Sequence, residues 1–222
     1  MKQVADGVWQ LSGFPPHAIN VYLVEDVLVD AGTRQAGRRI LRQLKGVDVS
    51  AHAITHAHPD HQGSSKEVCE TLGIPFWVGE QDADAAERPE LIAERQPDHP
   101  VAQFFARTLS GPGRRVDRKL REGDEVAGFT ALHTPGHSAG HMIFWRESDR
   151  VLVAGDVVGS QHFLTGIRGM HEPPPFLSPD PARNRDSARR LAALEPALTL
   201  FGHGPPLRDT KKLVDFVNGL PP

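Results

Sequence analysis

Three histidines and one aspartate fall within six consecutive positions of this sequence: His56, His58, Asp60 and His61. They follow a short apolar run that is expected to form a strand. In an extended segment alternate side chains share one face, so His56 and His58 can bind one cation together. Asp60 and His61 lie where the chain is expected to turn into a helix, and they can reach a second cation. Imidazole and carboxylate suit zinc, iron or manganese, so this segment predicts a site for two metal ions.

Three further ligand candidates, His137, Asp156 and His203, each lie next to a glycine. Each also comes after an apolar run of the kind that forms strands. Glycine lets the backbone turn sharply and approach a metal closely. These residues are therefore expected in loops at strand ends, beside the first four ligands.

As a set, these residues resemble the metallo-β-lactamase superfamily of metallohydrolases, whose motifs occur here in the family's order between Val8 and His203. The resemblance implies that two metal ions share the seven side chains. The first metal would be held by His56, His58 and His137. The second would be held by Asp60, His61 and His203, and Asp156 would bridge the two ions.

Short strands and helical segments alternate along the chain in two similar halves, which indicates the α/β class. The resemblance implies a four-layer αβ/βα sandwich of the metallo-β-lactamase type. The length of 222 residues suits a single domain spanning 1–222. The polar, proline-rich stretch from about 80 to 113 predicts a helical insertion. This insertion either lies beside the cleft or forms a surface connection without ligand contact.

Composition narrows the class of partner. A net charge of −3 and a pI near 6.4 argue against nucleic-acid binding, which normally needs a basic surface. No apolar run is long enough to span a membrane, and the first residues lack the apolar core of a signal peptide. We therefore expect a cytoplasmic enzyme with a small-molecule substrate, and the oligomeric state is left open. The single cysteine, Cys69, excludes an internal disulfide and is expected to be a buried, inert thiol.

The ligand chemistry and the resemblance together predict a binuclear metallohydrolase with two divalent ions, zinc first and iron or manganese as alternatives. A hydroxide bridging the ions would attack the substrate, because a bound ion lowers the pKa of water to about 7. Asp60 is the candidate catalytic residue, since it can accept a hydrogen bond from that hydroxide. No serine or cysteine stands beside a base in the motif, so no side-chain nucleophile is expected. The expected substrate is a small ester, thioester or lactone.

Two positions and the short stretch after His203 indicate the branch of the superfamily. True β-lactamases of this fold carry cysteine at the position of Asp156 or lack the bridging ligand, so β-lactam hydrolysis is expected only as a side activity. Lactonases that act on acyl-homoserine lactones have a tyrosine where this chain has Gly159. Few residues follow His203, so the glutathione-binding helical domain of glyoxalase II is not expected. A glyoxalase II-like or lactonase-like branch is the nearest resemblance.

Two other classes of function stay open. Persulfide dioxygenases of this fold bind one iron through residues that correspond to His56, His137 and Asp156, so the motif also allows a mononuclear-iron oxidoreductase. The second alternative is a metal-folded binding protein without turnover. Asp60 disfavours it, because a structural metal site closes its coordination sphere and needs no orienting carboxylate.

The loop after Asp156 is expected to border the substrate, as it does in the superfamily. Its candidate substrate-binding residues are His162, Phe163, Arg168 and His171. The alternative is a solvated loop that only covers the edge of the core. His141 is either a residue that supports the ligands or an ordinary hydrogen-bonded histidine on a strand.

Overall fold

The N-terminal half of the chain builds the first of two large β-sheets. The computed structural model describes all residues, 1–222. Seven strands follow one another in sequence order across this sheet: β1 (Lys2–Ala5), β2 (Val8–Gln10), β3 (Tyr22–Val24), β4 (Val27–Val29), β5 (Ala51–Ala53), β6 (Phe76–Gly79) and β7 (Arg118–Leu120). The strands from β1 to β4 pair antiparallel, and those from β4 to β7 pair parallel. The parallel strands therefore end at one edge of the sheet.

The C-terminal half builds the second sheet and a small hairpin. Its strands are β8 (Glu125–Val126), β9 (Phe129–His133), β10 (Met142–Arg146), β11 (Val151–Gly155), β12 (Gly159–Gln161), β13 (Arg168–His171) and β14 (Leu198–Phe201). The second sheet has the order β14-β11-β10-β9-β8, and β12 pairs with β13. Because β14 runs parallel to β11, both strands end on the same side.

Eight α-helices connect the strands. They are α1 (Gly37–Gln43), α2 (Pro59–Gln62), α3 (Ser65–Leu72), α4 (Ala83–Glu87), α5 (Glu90–Arg95), α6 (Pro100–Leu109), α7 (Pro181–Ala193) and α8 (Thr210–Asn218). The last two begin at aspartate caps, since Asp180 and Asp209 each accept a hydrogen bond from a backbone N–H of the first turn. These caps fix where α7 and α8 start.

Apolar cores between the two sheets and on their outer faces hold four layers together. Tyr22 and Phe129 lie between the two sheets. Ile40 of α1 packs on the outer face of the first sheet, and Leu191 of α7 packs on the outer face of the second. With both faces covered, β3, β4 and β11 are buried at every position. The predicted four-layer αβ/βα sandwich is confirmed.

The stretch predicted as a helical insertion contains α4, α5 and α6. Helix α6 packs against α2, the short helix that follows the first histidine motif. This contact brings the stretch beside the ligand-bearing loop rather than onto a remote surface.

No helix in this structure combines the length and the apolar character that crossing a membrane requires.

Cys69 is fully buried on α3, where Ile74 and Phe76 belong to the same apolar cluster. Burial raises the pKa of its thiol to about 12. The reactive thiolate is therefore almost absent near pH 8. We expect Ellman's reagent to label no thiol of the native protein at about pH 8 and one thiol per chain in denaturant. Fast labelling of the native protein would contradict this burial.

His52 of β5 is a buried neutral imidazole, which makes the fold sensitive to acid. Its Nδ1 donates to the carbonyl of Leu28 at 3.1 Å, and its Nε2 accepts from Ser65 Oγ at 2.8 Å. Burial lowers the pKa of His52 from 6.5 to about 4. The unfolded chain takes up this proton below pH 6.5 and the folded chain only near pH 4, so stability present at neutral pH is lost as the pH falls through that interval.

We expect this one group to remove about 2 kcal/mol of unfolding free energy between about pH 7 and about pH 5. Urea unfolding of the wild type and of His52→Gln at both pH values isolates the effect. The loss on acidification should be smaller in the variant by about that amount. An equal loss in both proteins would show that His52 does not titrate in this way.

Candidate metal centre

The seven ligand candidates meet at one edge of the sandwich, at the ends of strands from both sheets. They are His56 and His58 after β5, Asp60 and His61 in α2, His137 after β9, Asp156 after β11 and His203 after β14. All seven are buried. Parallel pairing of β11 with β14 explains how Asp156 and His203, which are far apart in sequence, come to share this edge.

The ligand atoms form three groups of three, one of which (His56, His61 and Asp156) contains members of both groups described next. In the first group, which we call the first triad, one nitrogen of each imidazole lies within 4.8 Å of the others: His56, His58 and His137. The second triad has one carboxylate oxygen and two imidazole nitrogens within the same distance: Asp60, His61 and His203. Three donors so close together can surround one ion bound at about 2.0–2.2 Å from each of them.

The carboxylate of Asp156 lies between the two triads. Its Oδ2 is 3.6 Å from His137 Nε2 of the first triad. The same oxygen is 3.4 Å from His61 Nε2 and 3.0 Å from His203 Nε2 of the second triad. An oxygen beside donors of both triads has the position that a shared ligand requires.

Several buried polar atoms of this site have no hydrogen-bond partner in the protein. They include Nε2 of His61, Nε2 of His137 and Oδ1 of Asp156. A buried polar atom without a partner costs about 1–3 kcal/mol, so folded proteins normally provide one. Neutral imidazole nitrogen and ionised carboxylate oxygen both offer an electron pair to a cation. These residues therefore fit divalent metal ions.

Gly202 keeps space for these ligands. A Cβ atom at this position would lie 2.0 Å from Asp156 Oδ1 and 2.7 Å from His61 Cε1. Any larger side chain would displace two of the candidate ligands. The glycine before His203 is thus required by close approach of other groups.

Two of the imidazoles are oriented through the ring nitrogen that points away from the site. Nδ1 of His137 donates to Ser178 Oγ at 2.9 Å. Nδ1 of His203 donates to the backbone carbonyl of Ala18. Such partners fix the tautomer and the ring direction of a metal-binding histidine, so Nε2 is the donor that faces the site.

Asp30, directly after β4, supports two further ligands and was missed by the sequence analysis. Its Oδ2 accepts from His61 Nδ1 at 3.0 Å, and its Oδ1 accepts from the backbone N–H of Thr55 at 2.8 Å. Thr55 Oγ1 lies 3.0 Å from His56 Nδ1. Asp30 has a φ of 63°, a conformation that costs a non-glycine residue about 1–2 kcal/mol. These hydrogen bonds offset that strain and hold the carboxylate under both imidazoles.

Asp82, in the turn after β6, joins the two loops of the first triad. Its Oδ2 accepts from the backbone N–H of Ala57 at 3.0 Å and from Ser138 Oγ at 2.6 Å. Its Oδ1 accepts from the N–H of Gly140 at 2.7 Å. Ala57 lies between His56 and His58, and Ser138 follows His137. One buried carboxylate therefore sets the spacing between these ligand loops.

We expect Asp82→Ala to weaken metal binding by about 10–100-fold, the usual cost of removing a group that supports metal ligands. Titration of metal-free protein with zinc against a chromophoric chelator measures the affinity. The matched control is Asp84→Ala, because Asp84 is only partly buried and pairs with Arg95 on the same stretch, away from the ligands. Equal zinc affinity in wild type and Asp82→Ala would contradict this role.

The histidines of the two triads differ in the direction of their pKa shifts. In the first triad, burial lowers the pKa of His56 and His137 well below the ordinary value, so both imidazoles are neutral. In the second triad, burial opposes the charge on His203, but the carboxylate of Asp156 outweighs it and raises the pKa of His203 to about 10. For His61, too, the carboxylates outweigh burial and raise the pKa well above the ordinary value.

The carboxylates stay ionised despite their burial. Burial would raise the pKa of Asp156, but charge on His203 and His61 holds it well below the ordinary value. For Asp60, His61 and His203 together outweigh burial and lower the pKa to about 2. Protons on His61 and His203 thus balance the carboxylates of Asp60 and Asp156, and metal binding would displace these protons.

His141 supports Asp156 without reaching the ligand positions. Its Nδ1 lies 2.9 Å from Thr134 Oγ1, and its Nε2 accepts from the backbone N–H of Asp156 at 3.1 Å. Its ring stacks on His56 with 4.9 Å between the centroids. It is therefore a hydrogen-bonded histidine that also positions a ligand.

A cleft of about 670 Å³, counting the part open to solvent, lies over both triads. Of the residues predicted at the substrate side, Phe163 and His171 line it. His162 packs edge-on against His171, with 5.3 Å between the ring centroids, and is not part of the lining. Arg168 is exposed on β13, outside the lining.

Comparison with known proteins assigns the chain to a family. The profile of the Metallo-beta-lactamase superfamily matches residues 14–203. The probable metallo-hydrolase YflN of Bacillus subtilis is 28% identical, over 88% of this chain and 84% of YflN. The hydroxyacylglutathione hydrolase of Bdellovibrio bacteriovorus is 29% identical over 60% of this chain, but over only 43% of its own length.

Two solved structures are similar to this one. The metallo-beta-lactamase family protein TTHA1429 from Thermus thermophilus is 27% identical, with a TM-score of 0.71 over 97% of this chain and 80% of that one. TTHA1623 in a di-iron-bound form is 29% identical, with a TM-score of 0.60 over 90% of this chain and 88% of that one. Because the family profile spans most of the sequence, this chain belongs to the metallo-beta-lactamase superfamily.

Proposed function

We propose that this protein is a binuclear metallohydrolase that uses two divalent ions, zinc first, to cleave a small ester, thioester or lactone. The observation that carries the proposal is the position of Asp156 between two ligand triads below a cleft. Similarity to a probable metallo-hydrolase supports hydrolysis. A similar protein with two bound iron ions supports the binuclear site and makes iron the first alternative metal.

When bound, the two ions would lower the pKa of water and stabilise the oxygen on which negative charge develops. Asp60 lines the cleft, and its Oδ2 is held 3.2 Å from His203 Nε2. With a pKa lowered to about 2, it is ionised at physiological pH. Asp60 can therefore accept a hydrogen bond from the attacking water and orient it towards the substrate.

The hydroxyl groups around the site already serve other partners. Ser138 donates to Asp82, and Ser160 donates to the backbone carbonyl of Pro205. Ser178 is hydrogen-bonded to His137 Nδ1, on the side of that ring away from the cleft. None has a free base beside it, which supports water rather than a side chain as the nucleophile.

Metal analysis and a substrate panel test the proposal together. Purified protein should contain two divalent ions per chain and hydrolyse at least one class among small esters, thioesters and lactones. A chelator should abolish this turnover and added zinc should restore it, with weak turnover of a β-lactam as a side activity. Absence of chelator-sensitive hydrolysis with all these classes would overturn the proposal.

The same preparation tests the oxidoreductase alternative. One iron per chain with oxygen uptake on a persulfide would favour the mononuclear-iron reaction over hydrolysis. We further propose a small-molecule substrate, no nucleic-acid or membrane partner, and a cytoplasmic location. Cell fractionation tests the location directly.

A further inference from the structure

Two separate segments give the cleft an apolar wall. Helices α5 and α6 contribute one side, and the chain between β11 and α7 contributes the other. The main apolar contacts are Ile92, Phe105 and Leu109 on the first side, and Val158, Phe163 and Leu177 on the second. Phe163 stands edge-on to Phe105 and to His203 of the second triad, with ring centroids 5.5 and 4.8 Å apart. The apolar surface therefore begins at the ligands themselves.

The charges of the lining do not fit an anionic substrate. Beyond the ligands, the only lining residue with an acidic or strongly basic side chain is Glu172. Its Oε1 lies 2.7 Å from Arg185 Nε, so the guanidinium beside it is already paired. Recognition of a carboxylate or phosphate normally uses a free arginine or lysine. Arg168, which was predicted to bind substrate and could pair with an anion, is exposed and lies outside the lining.

Gln96 connects the helical side of the wall to the first triad through a hydrogen bond to His58. It follows α5, lines the cleft, and its amide Nε2 is assigned 2.6 Å from His58 Nε2, while Oε1 is buried without a partner. Nδ1 of His58 faces His56 Nε2 within the triad, at 2.9 Å. His58 therefore carries its hydrogen on Nε2. With the Gln96 amide rotated by 180°, so that Oε1 and Nε2 change places, the amide oxygen accepts this hydrogen bond. The wall has a fixed position over the ligands.

We infer that this cleft selects an uncharged ester or lactone with an apolar acyl chain, in preference to glutathione thioesters and phosphodiesters. This inference rests on the proposed hydrolysis, and the acyl chain would lie along the apolar wall, against Phe105 and Phe163, with its carbonyl over the triads. Each methylene buried there should raise kcat/KM about threefold to fourfold until the cleft is full.

A series of 4-nitrophenyl esters from acetyl to decanoyl, assayed with zinc-loaded protein, measures this slope. Phe105→Ala and Phe163→Ala should each flatten it. Phe104→Ala is the matched control. Phe104 directly precedes Phe105 on α6, is 61% exposed and does not line the cleft. The control should keep the wild-type slope. S-lactoylglutathione and bis(4-nitrophenyl) phosphate should be poorer substrates than the octanoyl ester.

Binding of the neutral dye Nile red separates failure of the inference from failure of the proposed hydrolysis. Octanol should displace the dye, whereas glutathione should not, and Phe105→Ala should weaken dye binding even if no substrate is turned over. Displacement without turnover would support binding of an apolar chain in the cleft and overturn hydrolysis. Chelator-sensitive turnover with a flat chain-length series, or with best activity on an anionic substrate that Arg168→Ala impairs, would overturn the inference alone.

Discussion

Asp60→Asn should lower kcat by at least about a hundredfold, the lower end of the effect of a positioned acid–base group. Asparagine keeps the size of the side chain and can still bind an ion through its oxygen. It is neutral and replaces one acceptor oxygen with an N–H₂ donor, so it cannot orient the attacking water as the carboxylate does. Activity should therefore fall much further than metal content.

Metal analysis distinguishes this effect from loss of the site. Asp60→Asn should retain most of its metal, and Asp60→Ala should lose more of it because Asp60 belongs to the second triad. The matched control is Asp48→Ala, since Asp48 is exposed and lies outside the site. Turnover near the wild-type level in a metal-loaded Asp60→Asn protein would remove Asp60 from the mechanism.

The convergence of the ligands was open to sequence analysis because each ligand stands at a visible boundary. His56 and His58 follow an apolar run, and Asp156 and His203 stand beside glycines that follow such runs. The spacing between each ligand and the apolar run before it is short, and such local patterns can be interpreted without coordinates. The structure adds the reason that residue 202 is a glycine. A Cβ atom at this position would lie 2.0 Å from Asp156 Oδ1.

The residues that hold the ligands in place were not open to the same reasoning. Asp30 and Asp82 each look like one more aspartate at the end of a strand or in a turn. Their importance comes from hydrogen bonds to residues 25 to 58 positions away in the chain. Gln96 has no sequence signal at all, because a glutamine in a polar helical stretch is ordinary.

Some elements of the fold likewise depend on residues close in sequence, and others depend on contacts between distant residues. The end of α3 has a local cause, because Gly73 directly follows the helix and adopts a left-handed φ of 68°. Strand β1 has no comparable local cause, since Lys2 and Gln3 are exposed and its pairing with β2 is what makes it a strand. The cleft wall also depends on distant contacts, because Phe105 and Phe163 meet only through the fold.

Asp156→Ala should remove metal as well as activity, and it should affect both triads. Its Oδ2 lies 3.0 Å from His203 Nε2 of the second triad and 3.6 Å from His137 Nε2 of the first. Removing the carboxylate takes away a shared ligand, and it also takes away the negative charge that opposes repulsion between two cations.

The loss should be visible both in metal stoichiometry and in pKa. Without Asp156, the pKa of His203 should fall from its raised value of about 10, because that carboxylate is the largest influence that raises it. NMR titration of His203 in metal-free Asp156→Ala protein measures this directly, and Asp156→Asn separates loss of charge from loss of volume. Because the titration needs no turnover, it tests the position of Asp156 between the triads separately from any reaction. Two tightly bound ions per chain in Asp156→Ala, with an unchanged pKa of His203, would show that this carboxylate does not link the triads.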